Sequence, residues 1–399
     1  MKNTSPTLGI DASNARAGGG FKHLVELLKN ADPTAWGVDK VVVWCNRQMF
    51  AALPDRPWLE KINIPALDRN IFWRLFWQHF RLPHALSEKH CSALLSTGGL
   101  SPFFQVPIPT IVMSANMLPF EKQEYRRYPL FSYARLRLKL LRMGMSRSFS
   151  RADLMIFLAP YAKNVITPLL KNPPKKTAII PHGIEPRFFT NPEDPKTPVK
   201  SDEISRSRPF RFLYVSSIDV YKHQWHVAEA AKILRDEGFH LRVDFLGSTY
   251  SYPLSLKKFR ETKTRLDPQG EFLYEHSPLP FEQLPSVYQR ADGFVYASSC
   301  ENLPNILIEA MASGLPIASS DRGPMPEVLG EAGLYFNPES AEEIATKMRE
   351  LILHPELRNQ LSHRAVERAR KYSWSSCAQE TFSLIGELLH SVPPGSKHP

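Results

Sequence analysis

The sequence predicts an α/β chain of two doubly wound domains. Three observations carry this. Short apolar strands alternate with helical stretches along the chain, the pattern of parallel sheets joined by right-handed crossovers. The 399 residues are enough for two ordinary domains. A stretch rich in Pro, Ser and charge, 191–208, divides the chain as a linker does. The expected divisions are 1–190, the linker 191–208, 209–372, a last helix over 373–390 and a disordered tail, 391–399.

In the first half, Thr7 to Asp11 reads as a strand. Gly18, Gly19 and Gly20 read as a loop after it, and Phe21, Leu24, Val25, Leu27 and Leu28 have the spacing of a helix. A strand, glycine loop and helix let a phosphate or sugar approach the backbone closely, although a plain turn has the same pattern. The run is not G-x-G-x-x-G, and the next strand, Val41 to Trp44, ends in Cys45-Asn46 with no acid for a ribose. Both points argue against a nicotinamide oxidoreductase. Ile71 to Phe80 is an aromatic-rich helix expected to pack in the core. Ala93 to Leu95, Thr110 to Ser114, Asp153 to Leu158 and Ala178 to Pro181 read as further strands.

Charge is uneven. Residues 1–190 hold 26 Lys and Arg against 12 Asp and Glu, and residues 191–399 hold 24 against 28. A basic first half beside a mildly acidic second half implies two different partners. Nucleic acid is not expected, because no recognition motif accompanies the charge. The most basic segment, 122–151, has nine cations and one acid, Glu124, with Tyr133, Leu136, Leu140, Leu141 and Met145 at near-helical spacing. It reads either as a surface helix with one face on the core or as a helix lying on anionic lipid. Cys45, Cys91, Cys300 and Cys377 are scattered without a CxxC pair, which argues against zinc or a disulfide framework and fits a reducing compartment. No signal-peptide core and no apolar run of about 20 residues is present, so a soluble or peripheral protein is expected.

In the second half, strands are expected at Arg211 to Val215, Leu241 to Leu246, Glu271 to Tyr274 and Phe294 to Tyr296. Helices are expected at Trp225 to Asp236, Lys257 to Arg265, Leu284 to Arg290, Ala341 to Leu353, Pro355 to Lys371 and Trp374 to Leu389. The most informative stretch is Ser298 to Pro316, SSCENLPNILIEAMASGLP. Asn302 and Pro304 look like a helix start, and Gly314 and Pro316 a stop. The helix between is apolar almost all round, so Glu309 is a carboxylate in a buried setting that needs a partner. Glu301 lies between a strand end and a helix start, where α/β sheets bind ligands and free N–H groups favour an anion.

The E-x7-E of Glu301 and Glu309 is followed in order by Gly314, Pro316, Glu327, Gly333 and Asn337-Pro338. In this the run from Phe210 to about Glu387 resembles the family 4 retaining glycosyltransferases. The resemblance implies the GT-B fold: two Rossmann-like doubly wound domains facing across a cleft, with the last helix returning to the first domain. It implies transfer of a hexosyl group from a nucleotide-diphosphate sugar, UDP- or GDP-linked, to an acceptor hydroxyl in polysaccharide or glycolipid synthesis. By the same resemblance Lys222 stabilises the leaving diphosphate, Glu301 places the sugar, and Glu309 holds the ribose. Ser217, Asn302, Leu303, Pro304 and Asn305 line the donor, and the base rests near His276. Gly18, Gly19, Gly20 and Asn116 face the phosphates and acceptor.

Two departures stand out. Ser217 fills the position where that family carries an arginine on the diphosphate, and Ala115 fills that of a first-domain histidine. No metal or cofactor is expected, since neither D-x-D nor a His/Cys ligand cluster is present. The implied partners are the nucleotide sugar, a glycan or lipid-linked acceptor, and an anionic membrane surface through 122–151. The implied location is the cytoplasm, with a peripheral place on the inner face of the membrane. A hydrolysing nucleotide-sugar epimerase and a nucleotide-sugar-binding protein without transfer activity remain open. A two-carboxylate glycosidase is disfavoured, because Glu309 would be anchored to the nucleotide.

Overall fold

The computed structural model describes residues 6–16, 18–104, 106–174, 176–190, 199–247 and 252–391. The chain forms two compact units. The first comprises residues 1–120, 131–183 and 373–399, and the second 121–130 and 184–372.

The first unit is built on seven parallel strands: β1 (Thr7–Asp11), β2 (Lys40–Cys45), β3 (Leu59–Asn63), β4 (Ala93–Ser96), β5 (Thr110–Met113), β6 (Leu154–Phe157) and β7 (Lys176–Ile179), in the order β3-β2-β1-β4-β5-β6-β7. β1, β4, β5 and β6 are buried along their whole length, as strands covered on both faces must be. β3 escapes the sequence reading because LEKIN is a half-exposed edge strand without an apolar run. Val42, Trp44, Trp77, Leu82 and Leu86 form the core on one side. The four cysteines are free and buried.

The second unit has six parallel strands: β8 (Phe210–Val215), β9 (Leu241–Leu246), β10 (Leu273–His276), β11 (Gly293–Tyr296), β12 (Ile317–Ser320) and β13 (Leu334–Phe336), ordered β10-β9-β8-β11-β12-β13. β12 and β13 escape the sequence reading: IASS holds a single strong strand former, and LYF is only three residues long. β10 begins two residues later than expected. The Asp267 carboxylate accepts from the N–H groups of Glu271, Phe272 and Leu273 at 2.8–2.9 Å, which holds the strand's approach in a turn.

Other expectations are corrected. Gly18–Gly20 are not a loop but the first turn of the helix Gly18–Lys29. Residues 184–190 belong to the second unit, where Thr190 N–H donates to the Ala312 carbonyl at 3.2 Å and Ser313 Oγ to that of Phe188 at 3.1 Å. Residues 191–198 of the expected linker lie outside the described residues. Its remainder is packed rather than free: Arg358 donates to the Val199 carbonyl, and Ser201 Oγ to that of Ile352 at 3.3 Å. Of the tail, 392–399 also lie outside the described residues. The last helix is Trp374–Ser391, which packs in the first unit against Gly18–Lys29 and Pro33–Trp36.

The basic segment divides as well. Residues 121–130 are pinned in the second unit, where Arg127 pairs with Glu124 at 2.7 Å and Glu339 at 2.8 Å, and Tyr128 donates to Asp219 at 2.7 Å. The helix Tyr133–Arg151 lies in the first unit, opened by the Ser132 hydroxyl on Arg135 N–H. Its buried side chains are Leu138, Met145, Ser148 and Phe149; the expected row of Tyr133, Leu136 and Leu140 points outward. The aromatic stretch also departs from a core helix. An α-helix, Ile71–Phe76, passes into a π turn, Trp77–Arg81, which buries Trp77 and Gln78 and leaves Phe72, Trp73, Phe76 and Phe80 exposed. An extra residue per turn rotates the helix and so changes which side chains face inward.

Candidate active site

In the second sheet the strand order reverses between β8 and β11. The loops leaving the carboxyl ends of two such strands diverge, and the crevice between them is where an open α/β sheet binds ligands. Here the two loops are residues 216–222 and 297–304. They are joined by Ser299 N–H donating to the Tyr221 carbonyl at 2.8 Å, and His223 Nε2 and Ser299 Oγ share a hydrogen bond of 2.9 Å.

Lys222 comes from the first loop and Glu301 from the second. Lys222 Nζ forms an ion pair with Glu301 Oε1 and lies 3.3 Å from the Tyr296 hydroxyl. The same carboxylate oxygen accepts from Tyr296 Oη and, at 2.7 Å, from Ser298 Oγ. The Lys222 side chain is 7% exposed and that of Glu301 17%. Burial, and then the Glu301 charge, pushes the Tyr296 and Tyr214 phenols well up, so both stay neutral donors. Around this centre, Asp219 accepts from Tyr128 and from Val220 N–H, with its carboxyl raised by burial. His223 stands at φ 52°, and burial holds its imidazole neutral, down to about 3.

Glu301 is followed by Asn302, Leu303 and Pro304, and the helix Asn305–Ala312 begins one residue later than Pro304. Asn302 therefore precedes the helix rather than opening it. Glu309 is buried on this helix and accepts from the Tyr288 hydroxyl at 3.0 Å. Ser217 is half-buried, and its carbonyl accepts from Gln224 Nε2 at 2.9 Å. His276 ends β10 at the same edge of the sheet, with Nε2 2.6 Å from Asp244 Oδ1.

The structure thus brings Lys222 into contact with Glu301 and sets Ser217 and Asn302 to Pro304 on the same two loops, with Asn305 opening the helix that follows. Glu309 and His276 lie on neighbouring elements. The expected residues of the first half lie on the carboxyl edge of the first sheet: Gly18–Gly20 after β1, Asn116 after β5. Asn116 caps its own turn through Leu118 N–H at 3.1 Å. Sequence reasoning passed over Tyr296, Ser298 and Tyr288, which hold the two glutamates. The available signal was position: Tyr296 ends the strand before Glu301, and Ser298 precedes it by three residues. It also passed over Asp11, a buried carboxyl at the end of β1 that accepts from Ser13 N–H at 2.9 Å and Gln78 Nε2 at 2.6 Å. Among the described residues no group of His, Cys, Asp and Glu is arranged to hold a metal ion.

Residues 196–368 match the family model described as "Glycosyl transferases group 1". O-antigen chain mannosyltransferase B of Escherichia coli is 31% identical over 105 residues, covering 26% of this chain and 28% of that protein. D-inositol 3-phosphate glycosyltransferase of Corynebacterium efficiens is 26% identical over 221 residues, 54% of this chain and 51% of that protein. The matched region therefore spans about half or less of these relatives. Among solved structures, sucrose-phosphate synthase from Thermosynechococcus elongatus superposes with a TM-score of 0.74 at 16% identity, over 97% of this chain and 100% of that one. Anabaena HepE, solved with UDP-glucose, gives 0.69 at 14%, again over 97% and 100%. Likeness at this identity establishes the fold: the two sheets are those of GT-B.

Proposed function

We propose that this chain, whose second unit belongs to the group 1 glycosyl transferases, moves a hexosyl group from a nucleotide-diphosphate sugar to an acceptor hydroxyl with retention at the anomeric carbon. The reading is supported above all by Glu301, held against Lys222 by Tyr296 and Ser298 at the strand-order reversal of the second sheet. Lys222 would exchange part of its contact with Glu301 for the donor diphosphate, and stabilisation of developing charge is the largest contribution in such reactions. Glu301 would then take sugar hydroxyls. Backbone N–H groups ahead of Asn305 would add donors where Ser217 supplies no cation. Glu309 would hold the ribose, and the base would lie by His276.

Gly18–Gly20 and Asn116 carry the acceptor reading. The O-antigen chain in the name of the E. coli relative supports an acceptor from cell-surface polysaccharide synthesis. Glycolipid synthesis, and a cytoplasmic place peripheral to the inner face of the membrane, belong to the same proposal. No metal takes part, so EDTA should leave the rate unchanged.

The test is a panel of UDP- and GDP-sugars, with nucleotide release followed with and without a glycan or lipid-linked acceptor. Release that requires acceptor supports transfer. Release without acceptor points to a hydrolysing epimerase, and binding without release to a nucleotide-sugar-binding protein.

A further inference from the structure

Two stretches of the first unit leave a continuous run of aromatic rings in water. Phe72, Trp73, Phe76 and Phe80 stand on the outer flank of the α-helix and π turn, and Phe103 and Phe104 on the loop after β4. Their exposure runs from 38% for Trp73 to 65% for Phe72. Successive ring centroids are 5.7 Å apart for Phe72–Trp73, 6.1 Å for Trp73–Phe76, 5.4 Å for Phe76–Phe80, 6.0 Å for Phe80–Phe104 and 5.5 Å for Phe104–Phe103. Single exposed rings are ordinary, but a contiguous patch marks an interaction surface. The patch is fixed in place. Phe103 N–H donates to His79 Nδ1 at 2.9 Å, and Gln78, turned inward by the π turn, donates to the Leu100 carbonyl at 3.0 Å.

Cations border the rings. Arg69 lies over Trp73 at 5.2 Å, Arg147 over Phe103 at 4.2 Å, and Arg151 Nη1 donates to the Phe103 carbonyl at 2.9 Å. Residues 69–81 hold three arginines, and 131–151 six Lys and Arg, with no carboxylate in either stretch. Burial, and then the charges of Arg16 and Arg137, lowers the Arg74 guanidinium, so these cations crowd one another. Leu136, Leu140 and Met143 are exposed on the same basic helix.

We propose that this face docks on an anionic lipid bilayer, with the rings at headgroup depth and the Arg and Lys side chains against lipid phosphates. Aromatic side chains favour that interface, and basic residues draw a surface toward anionic lipid. A second copy of the chain would set like charges against like, which disfavours self-association. The proposal rests on the peripheral-membrane part of the reading above and assigns it a face; its test involves no turnover, so its failure leaves the glycosyl-transfer reading standing.

The test is flotation of the full chain at low salt with vesicles of phosphatidylcholine and phosphatidylglycerol at about 70:30, beside vesicles of phosphatidylcholine alone. The parent should float with the anionic vesicles and bind the neutral ones about tenfold more weakly or less. The triple variant Phe72→Ser/Trp73→Ser/Phe104→Ser should lose about tenfold or more in anionic-vesicle partitioning, with its melting temperature kept. Arg147→Glu/Arg151→Glu should do the same from the charge side. A parent that stays with the unbound fraction overturns the proposal, as does a triple variant that floats like the parent. Light scattering that finds a parental dimer split by the triple substitution would assign the face to a second copy instead.

Discussion

Lys222 and Glu301 are an ion pair between two loops that leave different strands, and Tyr296 touches both partners. Removing one member leaves the other a nearly buried charge, whereas removing both leaves neither. Lys222→Met and Glu301→Gln should each lower the thermal midpoint, and the double variant should melt above the worse of the two. Differential scanning calorimetry of the three variants checks this; a double variant whose loss is the sum of the single losses would mean the pair is not coupled.

The same pair sets the catalytic expectation. Lys222→Ala should lower sugar transfer by roughly ten- to a hundredfold, the worth of a charged hydrogen bond to phosphate. Glu301→Gln should reduce turnover with less effect on binding of the free nucleotide. Ser217→Arg should leave donor affinity equal or tighter. Steady-state kinetics and nucleotide calorimetry measure all three, and a Lys222→Ala enzyme with parental kinetics removes the lysine from the diphosphate.

Glu309 presents a choice between ligand and core. With Tyr288 donating to it, Glu309→Gln should weaken nucleotide-diphosphate binding by about tenfold, because an amide loses the charge-assisted bond to ribose. Tyr288→Phe should weaken it less. If Glu309→Gln binds nucleotide as the parent does while melting lower, the carboxylate serves the fold alone.

His223 makes stability sensitive to acid. Burial, and then Arg127, His226 and Arg322, lowers its imidazole to about 3, against the pull of Glu339. The unfolded chain thus binds a proton that the folded chain refuses throughout the range between about 3 and the ordinary histidine value of 6.5. Stability is full above that range and falls as pH drops through it, by at most about 1.4 kcal/mol per pH unit from this residue. His223→Asn keeps a residue that tolerates the positive φ and removes the titration. Urea unfolding at pH 7.5, 6.5 and 5.5 should give a shallower decline for the variant; parallel declines would clear His223 of the effect.

Glycines separate packing from contact with substrate. A Cβ at Gly386 would lie 2.3 Å from the Trp36 carbonyl oxygen, so Gly386→Ala should lower stability by about 1–3 kcal/mol. A Cβ at Gly20 meets nothing, and Gly20→Ala should melt at or above the parental temperature. Lost transfer in a Gly20→Ala protein of full stability would mark the glycine run as a substrate contact.

The sequence was most readable where one residue's local role matched its tertiary one. Leu241–Leu246 and Ala341–Leu353 could be read residue for residue, since strand and helix periodicity are local properties. Glu301 and Glu309 were visible from their spacing, and Lys222 from the resemblance, but not that Lys222 pairs with Glu301 or that Tyr288 donates to Glu309, because those contacts are made only through the fold. The aromatic stretch misled for a similar reason. IFWRLFWQHF has core composition, and only the π turn decides that Trp77 goes in while Phe76 and Phe80 stay out. The domain boundary failed at 184–190 because a segment before a linker carries no mark of which unit its hydrogen bonds will join.

The helix Trp374–Ser391 packs on the helix Gly18–Lys29, so the two extremes of the described chain complete one unit. During synthesis the first sheet emerges early, yet that flank of Gly18–Lys29 stays uncovered while 184–372 are made, roughly 10–40 s at ordinary ribosome speeds. A chain diluted from denaturant has both ends from the outset. The nascent chain therefore has a stage at which that flank lacks its covering helix, a stage that refolding of the whole chain does not impose.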